Sequence, residues 1–170
     1  MGSHTSAAGD VRAVLDGVRR IVQNLRESSR WAEKNLGMSG AQLFVLQKLA
    51  ESPAQSLNAL AALTHTHQSS VSTVVNRLVQ RGLVTRTRSR TDGRTFELDL
   101  SARGRRLVAR APHAAQERLI HSIQQLPAGR RRALASALGA LGLAMDAATS
   151  EPAMFFEERA RRRAARPRHA

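Results

Sequence analysis

The chain has 170 residues, 42% of them hydrophobic and 24% charged, which is the size and composition of one ordinary folded domain and excludes both a stapled mini-protein and a large multi-domain enzyme. It carries 27 basic and 13 acidic residues, a net charge of +14, and every basic residue except Lys34 and Lys48 is arginine, so a polyanion is the first partner to consider. With no cysteine there is no disulfide framework, thiolate zinc site or thiol nucleophile.

No apolar run approaches the roughly 18 residues that span a bilayer. Asp10 and Arg12 interrupt the stretch where a signal peptide would need apolar residues, so a cytoplasmic chain without a membrane role is expected. Residues 1–9 read as a disordered N-terminus. After Asp10, a candidate N-cap, apolar residues at Val11, Leu15, Val18, Ile21, Val22 and Leu25 have helical spacing, with Gly37 as the stop. The spacing predicts one long helix over 10–37, whose thin apolar stripe suggests a partner subunit.

Residues 38–110 have the organisation of a DNA-reading unit. Ser39-Gly40-Ala41-Gln42 has capping-box spacing and opens a second helix through Leu43, Leu46 and Leu49, which Ser52-Pro53 stops. A short third helix starts near Ser56 and buries Leu57, Leu60 and Ala61 before a polar link from Thr64 to His67. In the fourth helix Val71, Val74, Val75 and Leu78 form an i, i+3, i+4, i+7 stripe, and Gly82 stands where a left-handed C-cap is wanted. Leu83–Ser89 and Thr95–Leu100 read as strands joined through Asp92-Gly93, with Phe96, Leu98 and Leu100 alternating inward.

The rest, 111–150, reads as C-terminal dimerisation helices. A fifth helix capped by Ser101 is expected to run past Pro112 to about Leu126, with Pro112 kinking it or shifting its start. A sixth follows from Pro127 to about Ala148, with Leu134, Leu138, Leu141 and Met145 on one side. The basic tail 151–170 combines Phe155 and Phe156 with six arginines and reads as a solvated terminus rather than a DNA contact.

Two short helices joined by a tight turn and followed by a β-hairpin make a winged helix-turn-helix, so the fold expected is mainly α (α+β) with long terminal dimerisation helices. Placing the apolar stripe of the fourth helix inward leaves Ser69, Ser72, Thr73, Asn76, Arg77 and Gln80 on the opposite face. Short hydroxyls permit close approach to phosphates and base edges, while Asn76 and Arg77 suit bidentate contacts with adenine and guanine. An ordinary solvated helix face would more often carry Glu and Lys, which are better helix formers. Along the first strand Arg86, Arg88 and Arg90 alternate with threonine and serine, with Arg94 past the turn, a fork suited to the negative minor groove. The DNA-contacting set is therefore His67, Gln68, Ser69, Ser70, Ser72, Thr73, Asn76, Arg77, Arg86, Arg88, Arg90, Asp92 and Arg94.

The chain resembles the MarR family of bacterial transcription regulators over roughly Asp10 to Ala148. The carriers are SGAQLFVL (Ser39 to Leu46), NRLVQRGLVTR (Asn76 to Arg86), the wing turn DGR (Asp92 to Arg94) and LSARG (Leu100 to Gly104). The resemblance implies a homodimer with interlocking terminal helices, a palindromic operator in double-stranded DNA, and often a small aromatic or anionic effector. It also implies that Asp92 orients arginine at the wing tip and that Arg94 enters the minor groove. His67, where relatives often have a serine-like cap, and Pro112 depart from the pattern.

Other signals carry less. His65-Thr66-His67 has the form of half a zinc site, but an isolated His-x-His at a helix N-terminus more often contacts phosphate or solvent, and His113 and His121 are eight residues apart instead of at the i, i+4 spacing of two ligands, so no metal or cofactor is expected. There is no nucleophile with a base, no paired apolar carboxylates and no phosphate loop, so the chain is not read as an enzyme. A crevice between the first helix, the second and the start of the fifth would bring Trp31, Met38 and Phe44 together, either as core packing or against an aromatic carboxylate held by Arg26 or Arg30. The function expected is a sequence-specific repressor released by such an effector; the alternative is an effector-independent winged-helix module for DNA architecture or protein contact.

Overall fold

The computed structural model describes residues 3–53, 56–88, 96–145 and 154–156, and of 3–6 the backbone alone. Its elements, in order, are α1 (Ser3–Leu36), α2 (Gly40–Glu51), α3 (Leu57–Leu63), α4 (Gln68–Gln80), β1 (Val84–Arg88), β2 (Phe96–Leu100), α5 (Ala102–Val108), α6 (Ala115–Gln125) and α7 (Ala128–Ala144). Among these residues no helix is long and apolar enough to cross a membrane.

The core lies under α2, α4 and the hairpin. Phe44, Leu46, Leu49, Leu60, Val71 and Leu78 are fully enclosed, each such side chain contributing about 1.5–3 kcal/mol relative to exposure. Local chemistry fixes the element ends. Ser39 Oγ accepts from Gln42 N at 3.3 Å while Ser39 N donates to Gln42 Oε1 at 3.0 Å, which completes the capping box. Ser56 and Ser101 cap α3 and α5 through Ala59 N and Gly104 N. Gly37 and Gly82 adopt φ of 61° and 65°, the left-handed turns that release the chain from α1 and α4. Strands β1 and β2 pair antiparallel, Val84 opposite Leu100 and Arg88 opposite Phe96. Gly104 lets α5 lie on the hairpin, because a Cβ there would collide with the Leu83 carbonyl.

Three sequence expectations change. First, α1 begins at Ser3 and not after Asp10, so residues from Ser3 on continue the helix instead of forming a disordered lead. Ala7 and Ala8 favour the helix, and one interior glycine, Gly9, costs only about 1 kcal/mol against it. Second, the long fifth helix is two helices. The first ends at Val108, residues 109–114 around Pro112 are non-helical, and the break is secured from far away. Gln47 Nε2 donates to Pro112 O at 2.8 Å, Ala114 N donates to Gln47 Oε1 at 2.9 Å, and Ala115 N donates to Ser28 Oγ at 3.1 Å. Side chains of α2 and α1 thereby satisfy backbone groups that a continuous helix would have paired internally. Third, Leu98 and Leu100 point inward but Phe96 is 37% exposed, its ring covered instead by the Arg86 guanidinium at 4.1 Å.

The terminal helices differ from the centre. Among the described side chains of α1 only Leu25, Ser29 and Ala32 are buried, and α7 buries nothing. Val11, Val14, Leu15, Val18 and Ile21 on α1, and Leu134, Leu138, Leu141 and Leu143 on α7, remain exposed.

Candidate nucleic-acid interface

Helix α4, the one expected to read DNA, is held from both ends. At its start the α3–α4 turn is closed by Thr66 N donating to Ala61 O at 3.0 Å, by Thr64 Oγ1 donating to Leu60 O at 2.9 Å, and by Thr66 Oγ1 donating to Thr64 O at 3.0 Å. His67 takes the N-cap position in extended backbone, and no side-chain capping bond forms there. At the far end Arg103 Nη1 donates to Arg81 O and Ser101 Oγ to Gly82 O, so α5 fastens the carbonyls beyond the last turn. Arg81, half-buried, donates in turn to Gln42 Oε1 at 3.3 Å, which joins α4 to the capping box of α2.

Val71, Val74, Val75 and Leu78 face the core as their spacing requires, at 2% exposure or less. That fixes the outward face. Gln68, Ser69, Thr73, Asn76 and Gln80 are exposed, and Ser70, Ser72 and Arg77 are half-buried on its flanks. Thr73 Oγ1 donates to Ser69 O at 3.2 Å, which uses its proton and leaves the oxygen as an acceptor. No acidic residue occurs between Gln68 and Arg88. Arg86 and Arg88 are exposed on β1, and the Phe96 ring beneath Arg86 supports its guanidinium. Arg90, Asp92 and Arg94, the wing-tip residues, lie outside the described residues, as does the Asp92-Gly93 turn.

The residues expected at an effector crevice are not brought together at a surface. Met38 and Phe44 are 1% and 0% exposed within the core cluster, whereas Trp31 is 37% exposed. Their apolar character serves packing at two of the three positions. The cavity that does open between the reading lobe and α6, about 310 Å³, is lined by Thr64 to His67, Leu119, Ile120 and Ile123 and by Met154 and Phe155 of the C-terminal segment.

Sequence reasoning missed the ties around that junction. Lys48 of α2 meets Glu117 of α6 at 2.6 Å and Glu51 at 2.9 Å, with its side chain 11% exposed. Burial alone would lower the Lys48 pKa, but the hydrogen bonds and charges of Glu117 and Glu51 outweigh it and hold it above its ordinary value. His65, with φ of 51°, approaches Gln124 of α6 at 3.5 Å. Pro112 alone hinted that something must happen here; the partners are too distant in sequence to be read from spacing.

A short helix, a closed turn, a hydroxyl-rich outward helix and a basic hairpin define a winged helix-turn-helix protein. The profile of the MarR family matches residues 36–95, from the end of α1 to the threshold of β2. A Thauera aromatica protein described as a transcriptional regulatory protein for the hcr operon is 32% identical over 111 residues, 65% of this chain and 66% of that relative's length. Among solved structures, the transcriptional regulator BldR of Sulfolobus solfataricus superposes with a TM-score of 0.52 at 18% identity, covering 85% of this chain and 99% of BldR. Bordetella bronchiseptica BpsR, whose DNA binding is regulated by 6-hydroxynicotinic acid, gives 0.52 at 23% identity, covering 77% of this chain and 91% of BpsR. At these identities the two structures speak to the fold. The chain belongs to the MarR family of transcriptional regulators.

Proposed function

We propose that this chain binds double-stranded DNA sequence-specifically, as a homodimer on a palindromic operator, and represses until a small aromatic carboxylate releases it. The observation that carries the reading is the outward face of α4, where Ser69, Thr73, Asn76 and Gln80 stand exposed with no carboxylate near them in sequence and with Arg86 and Arg88 exposed on the adjoining strand. In the major groove the serine hydroxyls donate to phosphates or base edges, Thr73 accepts from base edges, and Asn76 and Arg77 contact adenine and guanine edges. The wing arginines Arg86, Arg88, Arg90 and Arg94 follow the minor groove, with Asp92 orienting the tip. His67, Gln68, Ser70 and Ser72 line the start of the helix, where backbone N–H groups favour phosphate.

The exposed apolar stripes of α1 and α7 support two-fold assembly, since water-exposed leucine and valine rows are stabilised by a second copy. Two-fold symmetry sets half-sites about one turn, roughly 34 Å, apart. For the effector, the aromatic acid that regulates BpsR makes that chemical class the first to test here. Such a ligand would rest its ring on Trp31 and its carboxylate on Arg26 or Arg30, reaching Met38 and Phe44 only if the surrounding helices part.

Footprinting on the DNA upstream of the chain's own coding sequence tests the core of this reading. A bounded palindromic footprint is expected, together with an affinity whose logarithm falls by roughly 0.9 per neutralised phosphate as the logarithm of salt rises. Length-dependent coating without a boundary would replace the repressor with the architectural alternative. For the effector arm, aromatic carboxylates should quench Trp31 and release the DNA; a tenfold release needs about 1.4 kcal/mol of preference for the DNA-incompatible state.

A further inference from the structure

The pairing of the hairpin sorts its charges by face. Directly opposed residues of an antiparallel pair share a face, and successive residues alternate between faces. Val84 opposite Leu100, Arg86 opposite Leu98 and Arg88 opposite Phe96 therefore lie on one face, with Thr85 opposite Asp99 and Thr87 opposite Glu97 on the other. The first face is the one that closes the lobe. Its Val84, Leu98 and Leu100 are buried in the same cluster as Val71, Val74, Val75 and Leu78 of α4. Further along the strands the core ends, and the same face continues outward as Arg86, Arg88 and Phe96, all exposed. The two carboxylates of β2 follow the opposite face. Within the described hairpin a phosphate therefore meets cations on the α4 side only.

Phe96 is an aromatic among charges, past the edge of the core. What its ring meets is the Arg86 guanidinium, whose carbon stands 4.1 Å from the ring centre. The contact runs diagonally across the strands, from Arg86 to the residue two before its direct partner Leu98, a span within reach of an aromatic and a long side chain. A π face attracts a cation while taking none of the five N–H donors of a guanidinium. A carboxylate in the same place would take up donors and charge together. We propose that Phe96 is a positioning residue for DNA binding: its ring holds the Arg86 guanidinium, with its donors free, for a backbone phosphate beside the minor groove. The proposal rests on the DNA-binding reading above and deepens it. Immobilising a long side chain at an interface typically weakens binding by about two- to tenfold; the ring imposes that order before DNA arrives. A leucine at the same position would cover the hairpin and order nothing.

The test uses the full-length chain on a duplex that the parent selects from random sequence. Arg86→Ala should reduce the steepness of log affinity against log salt by about 0.9, the value of one phosphate. Phe96→Leu keeps every charge, so its salt slope should equal the parent's while its affinity falls about two- to tenfold. Phe96→Tyr, which restores a π face, should recover the parent's affinity. In the Arg86→Ala background, Phe96→Leu should have no further effect. This last comparison separates positioning from packing, because a ring that merely supported the hairpin would be missed equally with and without Arg86. An equal loss in both backgrounds, an unchanged slope in Arg86→Ala, or parental affinity in Phe96→Leu would each overturn the role of Phe96 while leaving DNA binding itself in place. If the parent selected no duplex at all, the DNA-binding reading would fall, and the positioning role with it.

Discussion

The reading lobe and the terminal helices obey opposite rules of burial. Between Met38 and Leu100 the apolar residues that form the lobe's core are enclosed, and polar side chains close the helix ends and the turn. In α1 and α7 the apolar residues recur at helical spacing just as regularly, but Val11 is 60% exposed and Leu138 53%. The same pattern therefore means a finished core in one region and an unfinished one in the other. Periodicity states that a face will be buried, and only the tertiary structure states whether the same chain buries it. Here the lobe encloses its apolar residues, with help from Ala32, Ala114 and Met154, and the outer helices leave most of theirs exposed.

Substitutions at matched positions separate the two regions most sharply. Phe44→Ala should remove about 3–5 kcal/mol from unfolding free energy, as truncation of a fully enclosed aromatic does. Leu138→Ala, measured in dilute protein where copies are apart, should change it by no more than about 0.5 kcal/mol. At high concentration the two should converge if the proposed dimer forms, because a dimer interface ties apparent stability to protein concentration. Denaturant titrations at two concentrations check this. A Leu138→Ala cost that is large and independent of concentration would mean that α7 is packed by its own chain.

The seam between the regions comes next in size. Gln47→Leu strips the acceptor from Ala114 N and the donor from Pro112 O at a buried site. An unsatisfied buried donor costs about 1–3 kcal/mol. The loss should appear in melting of the whole chain, with hydrogen exchange at Ala114 and Ala115 accelerating more than in α4. If Ala114 kept its protection, the break would be held by Ser28 and Lys48 rather than by Gln47.

Lys48 offers a pH-dependent probe of the same seam. Its pKa is raised in the folded chain by Glu117 and Glu51 despite burial. A raised pKa means that the folded state holds the proton more tightly than the unfolded one. The contribution is therefore complete below the unfolded value of about 10.4 and is lost as pH climbs through the higher folded value. Stability followed from pH 8 into the alkaline range should fall more steeply for the parent than for Lys48→Met, with the two coinciding in slope at pH 8. Parallel curves throughout would place the Lys48–Glu117 pair outside the folding equilibrium.

Local signals were legible and distant ones were not. The capping box at Ser39, the stripe of α4 and the turn at Gly82 are each decided within a few residues, and the structure has them where the spacing requires. Asp10 misled because a good N-cap does not stop a helix when Ala7 and Ala8 before it can continue the turn. Pro112 signalled a disruption, but its outcome depends on Gln47 and Ser28, 65 and 87 residues away from the backbone groups they satisfy. Met38 and Phe44 carry no mark that separates a core side chain from a crevice wall, and only their enclosure does so. Met154 lies in a stretch that reads as a basic, solvated tail, and its burial is visible only once α6 and the α3–α4 turn form a place for it.

The smallest effect tests whether the lobe unfolds as one unit. Ser39 and Ser56 both accept from an amide three residues on, but only Ser39 also has the reciprocal bond from Gln42, whose Oε1 additionally receives Arg81. An N-cap serine replaced by alanine costs typically about 1 kcal/mol. Ser56→Ala should sit near that value. Ser39→Ala should exceed it, because losing the cap loosens Gln42 and with it the tie that holds Arg81 at the end of the reading helix. The excess should vanish in the double variant Ser39→Ala with Gln42→Ala, measured as a coupling in a double-mutant cycle of unfolding free energies. Simple additivity of the two changes would mean that Ser39 caps α2 and does no more, leaving α4 to be positioned by α5 and the core alone.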